Sequence, residues 1–181
     1  VRIAVLAVSD TRSMAEDKSG DLLVERLTTA GHILAARHIL RDDRADIAAQ
    51  LRLWVADPGI DVILTTGGTG LTGRDVTVEA HRDVYEKEIE AFATVFTMLS
   101  YQKIGTSAVQ SRATGGVAGG TCVCALPASS GACRDAWDEI QKCQLDYRRR
   151  PGDFVESLPR VDEDRRGKGL RFWCALCDNG A

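Results

Sequence analysis

Short apolar runs and amphipathic stretches alternate along most of the chain, and each change of period predicts a change of element. Ile3-Ala4-Val5-Leu6-Ala7-Val8 is apolar throughout, as in a strand covered on both faces, and the polar loop Ser9-Asp10-Thr11-Arg12 follows it. From about Ser19 to Ala30, Leu22, Leu23, Leu27 and Ala30 recur on one helical stripe, and Gly31 supplies a stop. His32–Leu40 reads as a second strand. A second helix spans roughly Arg44–Ala56, with Ile47, Leu51, Trp54 and Val55 inward, and Asp57-Pro58-Gly59 closes it. Ile60–Thr66 is a third strand and runs into a glycine loop. Ile89, Phe92, Phe96 and Leu99 keep the 3.6-residue period of another helix. After a glycine-rich stretch that carries no predicted element, Thr121–Leu126 gives a late strand and Pro127–Ser130 a turn. A last helix spans Ala132–Cys143, with Ala136, Trp137 and Ile140 inward.

Strands separated by helices of this length predict an α/β fold: a three-layer sandwich whose mostly parallel central sheet is flanked by helices. From about Tyr147 the periodicity fades, so the expected organisation is one domain over 1–160 and an irregular tail over 161–181. The 181 residues are enough for a core, and 44% hydrophobic with 27% charged residues is the balance of a globular protein. A formal net charge of -3 gives no electrostatic reason to expect nucleic acid or an anionic membrane as partner. No apolar run approaches the roughly 18 residues of a spanning helix, and no leader pattern opens the chain. The six cysteines lack the density of a secreted disulfide scaffold, so a reducing, cytoplasmic setting is expected. Cys174 and Cys177 have a metal-like spacing, but His32, His38 and His81 lie far away, and zinc is not expected there.

In sheets of this kind ligands bind beyond the carboxyl ends of the strands. The loops Ser9–Arg12, Arg41–Asp43 and Gly67–Asp75 therefore converge on one edge, with the Pro127–Ser130 turn beside them. The segment from Thr65 to Thr77 is the most informative. Thr66-Gly67-Gly68-Thr69-Gly70 after a strand lets backbone N–H groups approach an anion, and the threonine hydroxyls add donors. Gly68-x-Gly70-x-x-Gly73 matches the dinucleotide pattern only formally, because Arg74-Asp75 interrupts it and the acids about 20 residues on, Glu88 and Glu90, lie in a helix. A nicotinamide cofactor is not expected.

Asp75 beside a phosphate cradle needs an explanation, since two like charges about 4 Å apart repel by about 4 kcal/mol at an effective dielectric near 20. A cation between them removes the conflict, and Mg²⁺ binds one or two carboxylates together with phosphate oxygens. Asp42 and Asp43 are its natural partners. The plainer alternative is that Asp75 caps a helix beginning near Thr77 and Asp43 caps the second helix.

These residues resemble the MoaB/MogA family of molybdenum-cofactor biosynthesis proteins. Thr66-Gly67-Gly68-Thr69-Gly70 followed by Arg74-Asp75-Val76-Thr77 is similar to the family's signature loop. The likeness extends through Ser9-Asp10-Thr11-Arg12, Asp17-x-Ser19-Gly20, Ala30-Gly31-His32, Ser111-Arg112-Ala113 and Leu126-Pro127-Ala128-Ser129. It covers about 1–158, and Met98-Leu99-Ser100-Tyr101 before Ile104-Gly105-Thr106-Ser107 leans towards the MoaB branch. The resemblance implies adenylylation of molybdopterin by Mg-ATP with release of pyrophosphate. It implies Asp42 and Asp75 as catalytic and Mg²⁺-binding residues, with Asp43 the neighbour to which the first role could slip. Ser9, Asp10, Thr66, Gly67, Gly68, Thr69, Gly70, Ser111, Pro127 and Ser129 would shape the pocket for ATP and molybdopterin. It also implies a homotrimer or a hexamer, with other cofactor-biosynthesis enzymes as further partners. The alternative from another class is a non-catalytic protein that binds the pterin or a partner enzyme. Two features depart from the family: Ala128 stands where the turn usually has Gly, at a cost of about 1–2 kcal/mol if that position needs a positive φ, and the tail from about Glu163 has no counterpart.

Overall fold

The computed structural model describes residues 1–11, 13–146 and 154. The tail over 161–181, with Cys174 and Cys177, the arginines of 148–150, 165 and 166, and Arg12 of the first loop all lie outside the described residues.

The chain order is β1 (Arg2–Val8), α1 (Lys18–Thr29), β2 (Ile33–Leu40), α2 (Arg44–Val55), β3 (Val62–Thr66), α3 (Thr77–Arg82), β4 (Lys87–Glu88), α4 (Glu90–Ile104), β5 (Thr114–Ala118), β6 (Thr121–Leu126) and α5 (Ser130–Ala136). A single turn of 3₁₀ helix precedes α1, and a longer one follows α4. The last helix continues through a π-helical turn at Trp137–Gln141. One six-stranded sheet runs in the order β2-β1-β3-β6-β5-β4. Neighbours from β2 to β6 pair in parallel, and only β5 opposes its neighbours. This is the expected three-layer α/β sandwich.

The uniform apolar run of β1 has its reason in the two layers. Ile3 and Val5 enter a core shared with Leu23 and Leu27 of α1, Phe92 and Phe96 of α4 and Trp137. Ala4, Leu6 and Val8 enter the opposite core with Ile47, Leu51 and Trp54 of α2 and Ala80 of α3. Alternate residues of a strand point to opposite faces, so a strand buried on both must be apolar at every position. Leu23 and Leu27 are fully buried, worth about 1.5–3 kcal/mol each. Helix α1 ends as expected, with Gly31 at φ 85. It starts one residue earlier than the stripe suggested, because Asp17 is its cap: the carboxylate accepts the Gly20 amide at 2.9 Å.

The glycine-rich stretch corrects the sequence reading, for it forms β5 and pairs with the short β4. The strand is glycine-rich because aromatic side chains pack close against it. A Cβ on Gly115 would stand 2.9 Å from the Phe92 ring, and one on Gly116 would stand 2.4 Å from the Tyr85 ring. Gly119 and Gly120, both at positive φ, then turn β5 back into β6. Among the described residues no helix is long and apolar enough to cross a membrane.

Candidate active site

The carboxyl ends of β1, β2, β3 and β6 bring the predicted loops together. Ser9 ties the first two: its amide donates to the Leu40 carbonyl at 2.8 Å, and its hydroxyl accepts the Thr11 amide at 3.4 Å. Asp10 then faces the third loop, accepting from Arg74 at 2.7 Å and from the Asp42 amide at 3.4 Å. The turn after β6 is fastened to β3, since Thr66 Oγ1 donates to the Pro127 carbonyl at 3.1 Å. Thr66 is buried, so its hydroxyl joins two strand ends rather than facing a ligand.

The glycines of the loop are forced by close approach. At Gly67, φ is 102 and a Cβ would meet the Val8 carbonyl oxygen at 2.1 Å. At Gly68, φ is 61, and a Cβ would stand 2.2 Å from Asp42 Oδ1 and 2.3 Å from Thr77 Oγ1. Those two oxygens are buried and have no hydrogen-bond partner. Thr69 is buried between the two glycines that flank it.

The two candidate carboxylates have opposite environments. Burial pushes the Asp42 carboxyl above its ordinary range, and the charges of Asp10 and Asp75 add to the rise; the Val76 backbone N–H and Arg74 work against it. Asp75 is held below the ordinary range, chiefly by the Thr72 hydroxyl and then by the amides of Thr72 and Gly70 and the charge of Arg112. Two hydrogen bonds from Thr72, at 2.9 and 2.6 Å, end on Asp75 Oδ2. The helix-cap alternative therefore fails for Asp75: α3 begins at Thr77 after Val76, with no side-chain cap. It holds for Asp43, whose carboxylate accepts the Ala45 and Asp46 amides at 2.9 and 3.0 Å. Asp43 is turned onto its own helix, and Asp42 is the residue that faces the glycine loop.

Beside this cluster lies a cleft of about 460 Å³ lined by Thr11, Glu16, Lys18, Ser19, Ala128, Ser129 and Ser130. Asp10 and Thr11 link the two, one facing Arg74 and the other the cleft. Ser129 caps α5 through the Ala132 amide at 3.1 Å, and Ala128 stands beside it in the cleft wall. Ser111 is half-buried next to Arg112.

Arg112 entered the sequence reading only within Ser111-Arg112-Ala113, without a role of its own. Its Nη1 donates to the Gly70 carbonyl at 2.9 Å and its Nη2 pairs with Glu79. Those partners are 42 and 33 residues away, so only the folded chain reveals the contact. Lys18 at the start of α1 was missed, and Ser19, quoted within Asp17-x-Ser19-Gly20, was not assigned to the cleft.

A model of the family "probable molybdopterin binding domain" matches residues 4–146. The chain is 45% identical over 159 residues to the molybdenum cofactor biosynthesis protein B of Escherichia coli K12, covering 88% of this chain and 94% of that one. It is 44% identical over 141 residues to the protein of the same name from Bacillus cereus, covering 77% and 83% respectively. Among solved structures, a crystal structure of a molybdenum cofactor biosynthesis protein B superposes with a TM-score of 0.82 at 40% identity, over 88% of this chain and 96% of the other.

Proposed function

This chain belongs to the MoaB/MogA family of molybdopterin-binding domains, and from that premise we propose that it adenylylates molybdopterin with Mg-ATP. Its role in molybdenum-cofactor biosynthesis follows from the family. The finer reading rests on one observation, the pairing of Asp42 and Asp75 around the Gly67–Gly70 loop in opposite electrostatic states.

In the proposed reaction a terminal phosphate oxygen of molybdopterin attacks the α-phosphorus of ATP. The bond from that phosphorus to the bridging β-phosphate oxygen breaks, and pyrophosphate leaves with its electron pair. No net redox change occurs. Asp75 is ionised before any ligand arrives, because Thr72 and Gly70 satisfy its charge. Asp42 is the opposite case, a desolvated carboxylate with one orphaned oxygen, which a bound cation would stabilise. Among the described residues no three His, Cys, Asp or Glu side chains gather into a metal-holding group. The pair would therefore need phosphate oxygens and water to complete the coordination, as suits Mg²⁺. Bound there, Mg²⁺ would offset the charge that develops on the departing pyrophosphate. Asp10, paired with Arg74, braces the Asp42 loop, and Ser129 with Lys18 offers hydrogen-bond donors in the adjoining cleft.

The same reading carries a homotrimer or hexamer and a cytoplasmic location, the former checked by light scattering. The test of the activity is release of pyrophosphate from Mg-ATP with molybdopterin as acceptor. Binding of both substrates without pyrophosphate release would overturn the enzymatic reading in favour of a binding protein.

A further inference from the structure

We propose that Arg112 is the positioning residue of the glycine loop, holding Gly70 and Glu79 in the arrangement that a nucleotide phosphate meets. The inference rests on the site assignment above, and it concerns a residue that touches none of the reacting atoms in that assignment.

Three observations carry it. Arg112 divides its guanidinium between two elements, with Nη1 on the Gly70 carbonyl at 2.9 Å and Nη2 on Glu79 in the first turn of α3. Gly70 is thereby held at its carbonyl by Arg112, and it packs so closely on Asp75 that a Cβ there would stand 2.7 Å from Oδ2. The second Glu79 oxygen, Oε2, is buried without a hydrogen-bond partner, and Arg112 is the cation in direct contact with this carboxylate, with Arg44 nearby. The Arg112 side chain is 25% exposed and that of Glu79 37%, so solvent screens the ion pair in part, and the contact with the Gly70 carbonyl carries the positioning.

The geometry asks for arginine in particular. A planar fork reaches a carbonyl and a carboxylate at once with little loss of freedom, whereas a lysine ammonium is a point charge that serves one partner well. Without the fork, the Gly70 carbonyl at the loop end loses the side chain that holds it. The ligand would then have to order the loop on binding, so the loss falls on affinity and KM rather than on kcat.

The experiment uses the full chain as wild type, Arg112→Lys, Arg112→Gln and Glu79→Gln. Amide hydrogen exchange over 70–75 is followed without ligand, with the amides of α1 as internal reference. Arg112→Gln is expected to speed loop exchange at least about tenfold with α1 unchanged, the scale of one lost charge-assisted hydrogen bond. Arg112→Lys and Glu79→Gln should fall between it and wild type, and these milder variants decide the matter if Arg112→Gln does not fold. Titration with Mg-ATP should then follow the same ranking, Arg112→Gln binding about tenfold or more weakly. Unchanged loop exchange, or faster exchange in the loop and α1 alike, overturns the proposal. So does unchanged Mg-ATP affinity in a variant whose loop has loosened. A wild-type protein that binds no Mg-ATP would instead sink the nucleotide reading, while the exchange measurement still decides whether Arg112 fixes the loop.

Discussion

The Thr72 hydroxyl donates to Asp75 at 2.6 Å, and the Thr72 amide donates to the same carboxylate oxygen at 2.9 Å. A side chain three residues ahead thus holds Asp75 as an anion at the end of the glycine loop. Replacing Asp75 with Asn keeps the shape and removes the charge. The fold should survive, with a melting temperature within about 4 °C of wild type, the scale of about 1 kcal/mol in a chain of this size. Adenylyl transfer should be lost. Full pyrophosphate release by Asp75→Asn at saturating Mg²⁺ would remove Asp75 from the proposed mechanism.

His81 predicts a loss of stability in mild acid. The ring is fully buried, its Nδ1 faces the Thr77 carbonyl at 2.8 Å and its Nε2 faces the Thr65 hydroxyl at 2.9 Å. A carbonyl can only accept, so Nδ1 carries the proton, Nε2 accepts from Thr65, and the ring is neutral. Burial lowers its pKa to about 4. Above the unfolded value of about 6.5 both states are neutral and no pH dependence arises. Below it the unfolded chain takes up a proton that the folded chain refuses, so stability falls between about pH 6.5 and 4 and then levels off. The full loss is about 3 kcal/mol. Thermal melts should drop more steeply from pH 7.5 to 5 for wild type than for His81→Gln, and parallel curves would show that His81 does not govern this limb.

The elements that the sequence predicted well are those whose side chains carry the signal themselves. From Ile3 to Val8 β1 is apolar because the strand is covered on both faces, and the α1 stripe ends at a glycine that does adopt a positive φ. β5 was hidden because Gly115 and Gly116 owe their identity to Phe92 and Tyr85, which lie far off in sequence. The choice between Asp42 and Asp43 was likewise out of reach of spacing. It is decided by which carboxylate turns onto the α2 amides, and that depends on local backbone geometry at Asp43. Arg112 shows the same limit, as does the ion pair that Arg37 adds to the local cap at Asp17, for these partners are brought near only by folding.

If the aromatic cover explains the glycines of β5, Gly116→Ala should destabilise the protein without touching the ligand site. The new methyl would stand 2.4 Å from Cγ and 2.5 Å from Cδ1 of Tyr85, and overpacking of this kind costs about 1–3 kcal/mol. Tyr85→Leu in the same chain should recover part of the loss, so the double variant should melt higher than the two single effects predict by addition. A wild-type melting temperature for Gly116→Ala would mean that the ring moves freely aside.

Gly68→Ala should separate binding from stability at the proposed site. The substitution meets two costs: a positive φ of 61, which disfavours a side chain by about 1–2 kcal/mol, and a methyl placed 2.2 Å from Asp42 Oδ1 and 2.3 Å from Thr77 Oγ1. Neither oxygen has a hydrogen bond of its own, so the surroundings can yield by turning the Asp42 carboxylate at the cost of its contact with the Val76 N–H. That relief protects the fold and sacrifices the site. The melting temperature should therefore fall by only a few degrees, on the order of 4–8 °C for 2 kcal/mol in a chain of this length. Mg-ATP affinity should drop by about tenfold or more, as expected when one carboxylate of a metal-bridging pair is misplaced. The comparison with Gly67→Ala sharpens the result, because that methyl would strike the Val8 carbonyl at 2.1 Å and meet backbone that cannot turn aside. Gly67→Ala should accordingly unfold the protein far more readily than Gly68→Ala. Normal Mg-ATP binding by folded Gly68→Ala protein would show that the glycine serves the turn alone and that Asp42 is not held there for a ligand.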